Sequence, residues 1–86
     1  MKRIPCFIHV VTGDGRPLAG ARIAVEQAEG PVPEMMYVTD DAGTAQIGLP
    51  PGRVVLRVFS GSKSSVTELV IGSEPGQTYD IHADAP

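Results

Sequence analysis

The sequence predicts an all-β domain, a seven-stranded Greek-key β-sandwich, and three observations support this fold class. Ten glycines and eight prolines are spread over the 86 residues and separate short apolar segments. Within these segments apolar and polar residues alternate with a period of two, the pattern of strands with one buried face. No segment repeats its apolar residues at helical spacing over several turns. Short, regularly spaced strands bounded by glycine and proline are typical of a sandwich.

The length permits one domain, residues 1–86, because a chain of 86 residues has no room for a second core. With 42% hydrophobic and 20% charged residues, the composition is that of a globular domain and not of a disordered chain. Cys6 is the only cysteine in the sequence, so no internal disulfide can form. Because Cys6 lies in an apolar run, we expect it to be a buried small hydrophobe.

The N-terminal half predicts three strands. The first covers residues 3–12, and a turn at residues 13–17 precedes a short edge piece at Leu18 and Ala19. The second strand covers residues 21–28, a loop with Gly30, Pro31 and Pro33 covers residues 29–34, and the third strand covers residues 35–39. The residues expected to face inward from the first two strands are Ile4, Cys6, Ile8, Val10, Ala21, Ile23 and Val25.

The stretch from residue 38 to residue 52 fixes where several strands must stop. Residues 40–43 predict a tight turn, with Gly43 in the left-handed conformation that glycine adopts cheaply. Residues 44–49 alternate cleanly and predict the fourth strand, with Ala45, Ile47 and Leu49 on its inner side. Pro50, Pro51 and Gly52 end this strand, because proline cannot donate to a central ladder.

The C-terminal half predicts three more strands. Residues 53–60 form the strongest of them, followed by a polar loop at residues 61–64 and a strand at residues 65–71. Val66 is out of phase with Leu69 and Ile71, and a bulge near Thr67 and Glu68 would bring all three inward. After a turn at residues 72–76, residues 77–83 form the last strand. The inward residues expected here are Val54, Leu56, Val58, Tyr79 and Ile81.

Charge and hydropathy exclude several classes of partner. The net charge is −3, and the seven basic residues are scattered without interleaved aromatics, so no nucleic-acid partner is expected. The basic start Met1-Lys2-Arg3 is not followed by a long apolar segment, which argues against a signal peptide. No apolar stretch approaches membrane-spanning length, so no membrane partner and a cytoplasmic location are expected.

Three motifs together suggest a family. They are Asp-Gly-Arg-Pro-Leu-Ala-Gly-Ala-Arg-Ile at residues 14–23, Thr-Asp-Asp-Ala-Gly at residues 39–43, and Leu-Pro-Pro-Gly at residues 49–52 before the apolar run 54–58. In this order and spacing, from about residue 8 to residue 71, the sequence resembles the carboxypeptidase regulatory-like domains. The resemblance implies a transthyretin-like (prealbumin-like) sandwich that acts as a non-catalytic accessory module, often attached to larger extracellular proteins.

An enzymatic alternative within the same fold is a small hydrolase or ligand-binding domain related to 5-hydroxyisourate hydrolase. His9 before Gly15-Arg16-Pro17 resembles the N-terminal histidine motif of that enzyme, and His82 is a candidate second histidine. The C-terminal Tyr-Arg-Gly-Ser motif that 5-hydroxyisourate hydrolase requires does not occur in this sequence. A general base without its partner groups is a weak basis for catalysis, so we expect no enzyme activity.

Metal, calcium and phosphate sites are not expected, and no cofactor is implied. His9 and His82 are far apart in sequence and have no paired ligand motif around them. The pair Asp40-Asp41 lacks the twelve-residue calcium loop and is explained by turn chemistry. The segment Gly61-Ser62-Lys63-Ser64 lacks the adjacent glycine and lysine of a phosphate loop.

Surplus apolar residues on outward positions predict a binding or assembly module that contacts a protein partner or a second copy. Aromatic residues and methionines are enriched at such interfaces. A second predicted binding mode is the addition of a strand at an exposed sheet edge. The candidate protein-binding residues are Phe7, Val11, Met36, Tyr37, Val55 and Phe59.

Overall fold

The computed structural model describes residues 3–30 and 35–84, and this part of the chain contains seven strands. No residue in these two ranges is helical, so none lies in a helix that could cross a membrane. The strands are β1 (Ile4–Val11), β2 (Arg22–Ala28), β3 (Tyr37–Val38), β4 (Thr44–Leu49), β5 (Gly52–Ser60), β6 (Lys63–Ile71) and β7 (Gln77–His82).

The strands form two sheets that pack as a sandwich. The three-stranded sheet has the order β4-β1-β7, and the four-stranded sheet has the order β3-β2-β5-β6. All neighbours are antiparallel except β1 and β7, which run parallel from the pair Cys6–Gln77 to the pair Val11–His82. This arrangement confirms the predicted all-β, seven-stranded Greek-key sandwich.

The core lies between the two sheets and consists of the inward residues of alternating strands. The inward positions predicted on β1, β2, β4 and β5 are all buried, and Ile81 of β7 is buried with them. Burying one isoleucine, leucine or valine side chain contributes about 1.5–3 kcal/mol. The largest fully buried side chains are Ile8, Ile23, Ile47, Leu49, Leu56 and Ile81.

The turn before β4 has the predicted conformation. Gly43 has a φ of 76°, and its backbone N–H donates to the Asp40 carbonyl at 2.9 Å. The Asp40 side chain accepts from the backbone N–H groups of Ala42 at 2.9 Å and Thr44 at 3.0 Å. The acidic residue therefore serves the turn itself, as the turn chemistry predicted.

Three predicted boundaries between residues 18 and 64 are wrong. Leu18 and Ala19 form no strand, and the isolated bridge next to them joins Pro17 and Val11. The third strand covers Tyr37–Val38 and not residues 35–39. The loop predicted at residues 61–64 is a two-residue turn at Gly61 and Ser62, because Ser60 already pairs with Lys63.

In the loop predicted at residues 29–34, residues 31–34 lie outside the described part, as do Met1 and Lys2 at the basic start.

The bulge predicted near Thr67 and Glu68 is also wrong. β6 pairs with β5 in unbroken register from Gly52–Ile71 to Ser60–Lys63. The register shift occurs in β2 instead, between Val25 and Gln27. Because β6 continues without a bulge, Val66 lies on the outer face of the four-stranded sheet and not in the core.

The Cys6 thiol is buried at the centre of the sandwich, as predicted, and donates to the Ile4 carbonyl at 3.1 Å. Burial raises the pKa of the Cys6 thiol, so the reactive thiolate is scarce at neutral pH. We expect a thiol-reactive probe to leave the native protein unmodified and to label the protein fully in denaturant. Labelling is measured by mass spectrometry. Equal labelling rates in the native and the denatured protein would contradict the burial of Cys6.

Candidate functional site

Among the four edge strands of the two described sheets, β6 is the longest. β6 has nine residues without proline or glycine, whereas β3, at the other edge of the same sheet, has two residues. Within residues 3–30 and 35–84, β6 pairs only with β5. Natural proteins usually protect such edges with prolines, bulges or short strands, because unpaired backbone groups there can pair with another chain.

The hairpin between β5 and β6 determines which backbone groups face this edge. Ser60 and Lys63 close a two-residue turn, in which Gly61 has a φ of 61°, and such a closing pair is hydrogen-bonded in both directions. Along an antiparallel strand, the direction of the N–H and C=O groups alternates from residue to residue. The backbone groups that point away from β5 therefore belong to Ser64, Val66, Glu68 and Val70.

The side chains of these residues lie on the outer face of the four-stranded sheet. Val66 is 51% exposed and Val70 is 72% exposed. On β5, Val55 lies opposite Glu68 and Phe59 lies opposite Ser64, and both apolar side chains are half-buried. Diagonal neighbours in a sheet have side chains roughly 7–8 Å apart. A diagonal apolar line therefore runs from Val70 through Val55 and Val66 to Phe59. We call this line, together with Glu68 and the open β6 edge, the β6 surface.

Charged side chains lie between the apolar positions of the β6 surface. Arg53 Nη2 donates to Glu68 Oε2 at 2.8 Å, and Arg57 Nε donates to Glu26 Oε1. The guanidinium of Arg22 lies over the Phe59 ring, 5.8 Å from its centre. Exposed ion pairs contribute only about 0.2–1 kcal/mol. These pairs therefore mainly set the directions of the charged groups around the apolar line.

The six predicted binding residues do not form one patch. Val55 and Phe59 belong to the β6 surface, whereas Phe7 lies on the outer face of the three-stranded sheet, on the other side of the sandwich. Val11 was predicted to face outward but is only 9% exposed, and Tyr37 packs against the core opposite Ile23. Met36, just before β3, is 45% exposed.

Sequence reasoning missed Val66 and Val70. Both have the same parity as Glu68, and simple alternation along residues 63–71 places all three on one face. Alternation alone therefore predicts an outward Val66, and the expected bulge near Thr67 and Glu68 led to its wrong placement in the core.

The two histidines lie on the outer face of the three-stranded sheet, apart from the β6 surface. His9 is opposite Asp80 in the parallel pair of β1 and β7, and its Nδ1 lies 3.1 Å from Asp80 Oδ1. His82 is opposite Val11, two positions farther along β7. Within the described ranges, no group of three histidine, cysteine, aspartate or glutamate residues could hold a metal ion.

A shallow cleft lies at the end of the sandwich next to His82. Its volume is about 130 Å³, and its lining includes Ser65, His82 and Asp84. The Ser65 hydroxyl is buried and has no hydrogen-bond partner among the described residues. His9 is not part of this cleft. This cleft therefore does not bring the two histidines together.

The two-sheet topology defines a transthyretin-like β-sandwich. The sequence pattern of the carboxypeptidase regulatory-like domain matches residues 8–85, and the chain belongs to this family. The resemblance inferred from the turn motifs is thereby confirmed.

One solved structure with a similar fold is 5-hydroxyisourate hydrolase from Klebsiella pneumoniae. The TM-score is 0.57 at 21% sequence identity, over 92% of this chain and 90% of that one. At this identity the likeness shows a shared fold and nothing about activity. No curated protein sequence matches the chain.

Proposed function

We propose that this domain is a non-catalytic protein-binding module and that the β6 surface is its contact site. The observation that carries the proposal is the exposure of Val66 and Val70 along an open strand edge. Exposed apolar side chains grouped on one surface of a small domain mark contact sites. An open strand edge offers hydrogen-bonding groups to an extended segment of a partner.

The two parts of the β6 surface have different roles in this proposal. The edge-facing backbone groups of Ser64, Val66, Glu68 and Val70 supply hydrogen bonds that any extended chain can use. The apolar line and the charges beside it supply specificity, because a partner must match their spacing. Burying a valine side chain fully is worth about 1.5–3 kcal/mol, so the two exposed valines are a substantial part of the available binding energy.

The arrangement of the histidines supports a non-catalytic role. A hydrolase that used His9 and His82 would need both imidazoles directed at one bound substrate. His9 and His82 are diagonal neighbours on the outer face of the three-stranded sheet, but His9 Nδ1 already lies 3.1 Å from Asp80 Oδ1, and the end cleft includes only His82 of the two. Both side chains are explained as polar residues on an outer sheet face.

The proposal is tested with the double variant Val66→Lys/Val70→Lys. The immobilised wild-type domain is used to capture proteins from its native extract, and captured proteins are quantified by mass spectrometry. We expect the double variant to retain less than a tenth of a specifically captured partner, because each lysine replaces an apolar contact with a solvated charge.

The matched control is Gln46→Lys/Thr78→Lys, which adds the same charges at exposed positions of the three-stranded sheet. This control is expected to capture as the wild type does. Equal capture by both double variants would overturn the assignment of the β6 surface. Sedimentation of the purified wild type identifies a second copy as the partner if its mass rises with concentration.

A further inference from the structure

We infer that the β6 edge binds an extended peptide segment with a basic side chain between two apolar ones at alternate positions. This inference rests on the proposed function and specifies its partner. The pattern is apolar–x–Lys/Arg–x–apolar, and its three defined residues lie opposite Val66, Glu68 and Val70.

The backbone of β6 sets the register of such a segment. The N–H and C=O groups that point away from β5 belong to alternate residues, and Val66, Glu68 and Val70 are three of them in succession. A segment that pairs with these groups places every second residue directly opposite one of the three. Its side chains at those positions lie on the same outer face of the extended sheet.

Glu68 determines the charge expected at the central position. Its carboxylate contacts Arg53 through Oε2 only, and its side chain remains 52% exposed. Arg53 approaches from β5, so the side of Glu68 that faces the open edge is left for an incoming residue. Opposite charges directly across a strand pair are favourable, whereas like charges are unfavourable. A lysine or arginine opposite Glu68, with apolar residues opposite the flanking valines, satisfies all three positions.

The same residues disfavour a second copy as the occupant. In an antiparallel pair of β6 strands, the register that matches Val66 with Val70 of the second copy places Glu68 opposite Glu68 of that copy. An in-register parallel pair creates the same contact between the two carboxylates. Glu68 therefore opposes self-pairing in the registers that bring both valines together, and it favours a partner with a basic centre.

The test uses two synthetic probes, acetyl-Thr-Val-Thr-Lys-Thr-Val-Thr-amide and the same peptide with glutamate in place of lysine. Each is titrated into the full domain, and backbone amide signals are followed by nuclear magnetic resonance. We expect the wild type to bind the lysine peptide at least fivefold more tightly than the glutamate peptide. The largest shifts and the slowest hydrogen exchange are expected at the amides of residues 64, 66, 68 and 70.

The charge-swap variant Glu68→Lys is expected to reverse the order of the two peptides. Glu74→Lys, which makes the same charge change in the turn before β7, is expected to keep the wild-type order. A second variant, Val66→Pro, removes an edge-facing N–H without removing a donor to β5, so it is expected to weaken both peptides.

Three results would overturn the inference: no binding of the lysine peptide by the wild type, an unchanged order in Glu68→Lys, or concentration-dependent dimerisation through β6. If Val66→Lys/Val70→Lys abolishes partner capture while the peptide order does not reverse, the proposed function stands and only this choice of partner fails.

Discussion

Gly43→Ala is expected to lower the free energy of unfolding by about 2–5 kcal/mol. Two costs add up in this estimate. At a φ of 76°, alanine must adopt the left-handed conformation, which costs residues other than glycine about 1–2 kcal/mol. In addition, a Cβ at this position would lie 2.8 Å from both Leu18 N and Val10 O. Both are backbone atoms that cannot rotate away, and overpacking of this kind costs about 1–3 kcal/mol.

Gly76→Ala is the matched control for this prediction. Gly76 also has a positive φ, 82°, but a Cβ there would meet no atom within 4 Å. Only the conformational cost remains, so a loss of about 1–2 kcal/mol is expected. Urea denaturation of the two variants and the wild type measures the difference. Equal losses in both variants would show that the close contact at Gly43 has no energetic role.

Thr39→Val is expected to lower the free energy of unfolding by about 2–3 kcal/mol, although the two side chains have nearly the same shape. The buried Thr39 hydroxyl accepts from the backbone N–H of Ala21 at 2.9 Å and donates to the Leu18 carbonyl at 2.6 Å. Valine makes neither bond. It leaves the N–H of the buried Ala21 without a partner, and an unsatisfied buried group costs about 1–3 kcal/mol.

Thr39→Ser separates the hydrogen bonds from the packing. Serine keeps the hydroxyl and loses only the methyl group, so a loss of no more than about 1 kcal/mol is expected. The thermal midpoint and the urea midpoint of the three proteins provide the measurement. A valine variant as stable as the wild type would mean that the two hydrogen bonds contribute no net stability.

Local chemistry was enough to predict most of the fold. The turn at residues 40–43 depends on residues that bond to each other, namely Asp40, Gly43 and Thr44, and this information lies within five positions. The inward faces of β1, β4 and β5 were likewise predicted, because the alternation of side chains and the residues that end each strand can be recognised within short segments.

The wrong predictions concern positions whose environment is set by distant residues. Val66 was expected to be buried because a bulge was expected in β6, but the pairing between strands decides where such an irregularity occurs, and the register shift lies in β2. Thr39 stabilises the segment 18–21 through bonds that span about 20 positions, and residues 18–21 form no strand that alternation could reveal. For the candidate site, the strand was predictable, whereas its position at an open edge was not.

The parallel pairing of β1 and β7 has a mechanical consequence. Because the two strands run in the same direction, Ile4 at the start of β1 and His82 at the end of β7 lie toward opposite ends of the three-stranded sheet. Tension applied between these two residues would slide β1 and β7 past each other along their length. The ladder from Cys6–Gln77 to Val11–His82 would then bear the load in shear, with its hydrogen bonds stretched together and not one after another.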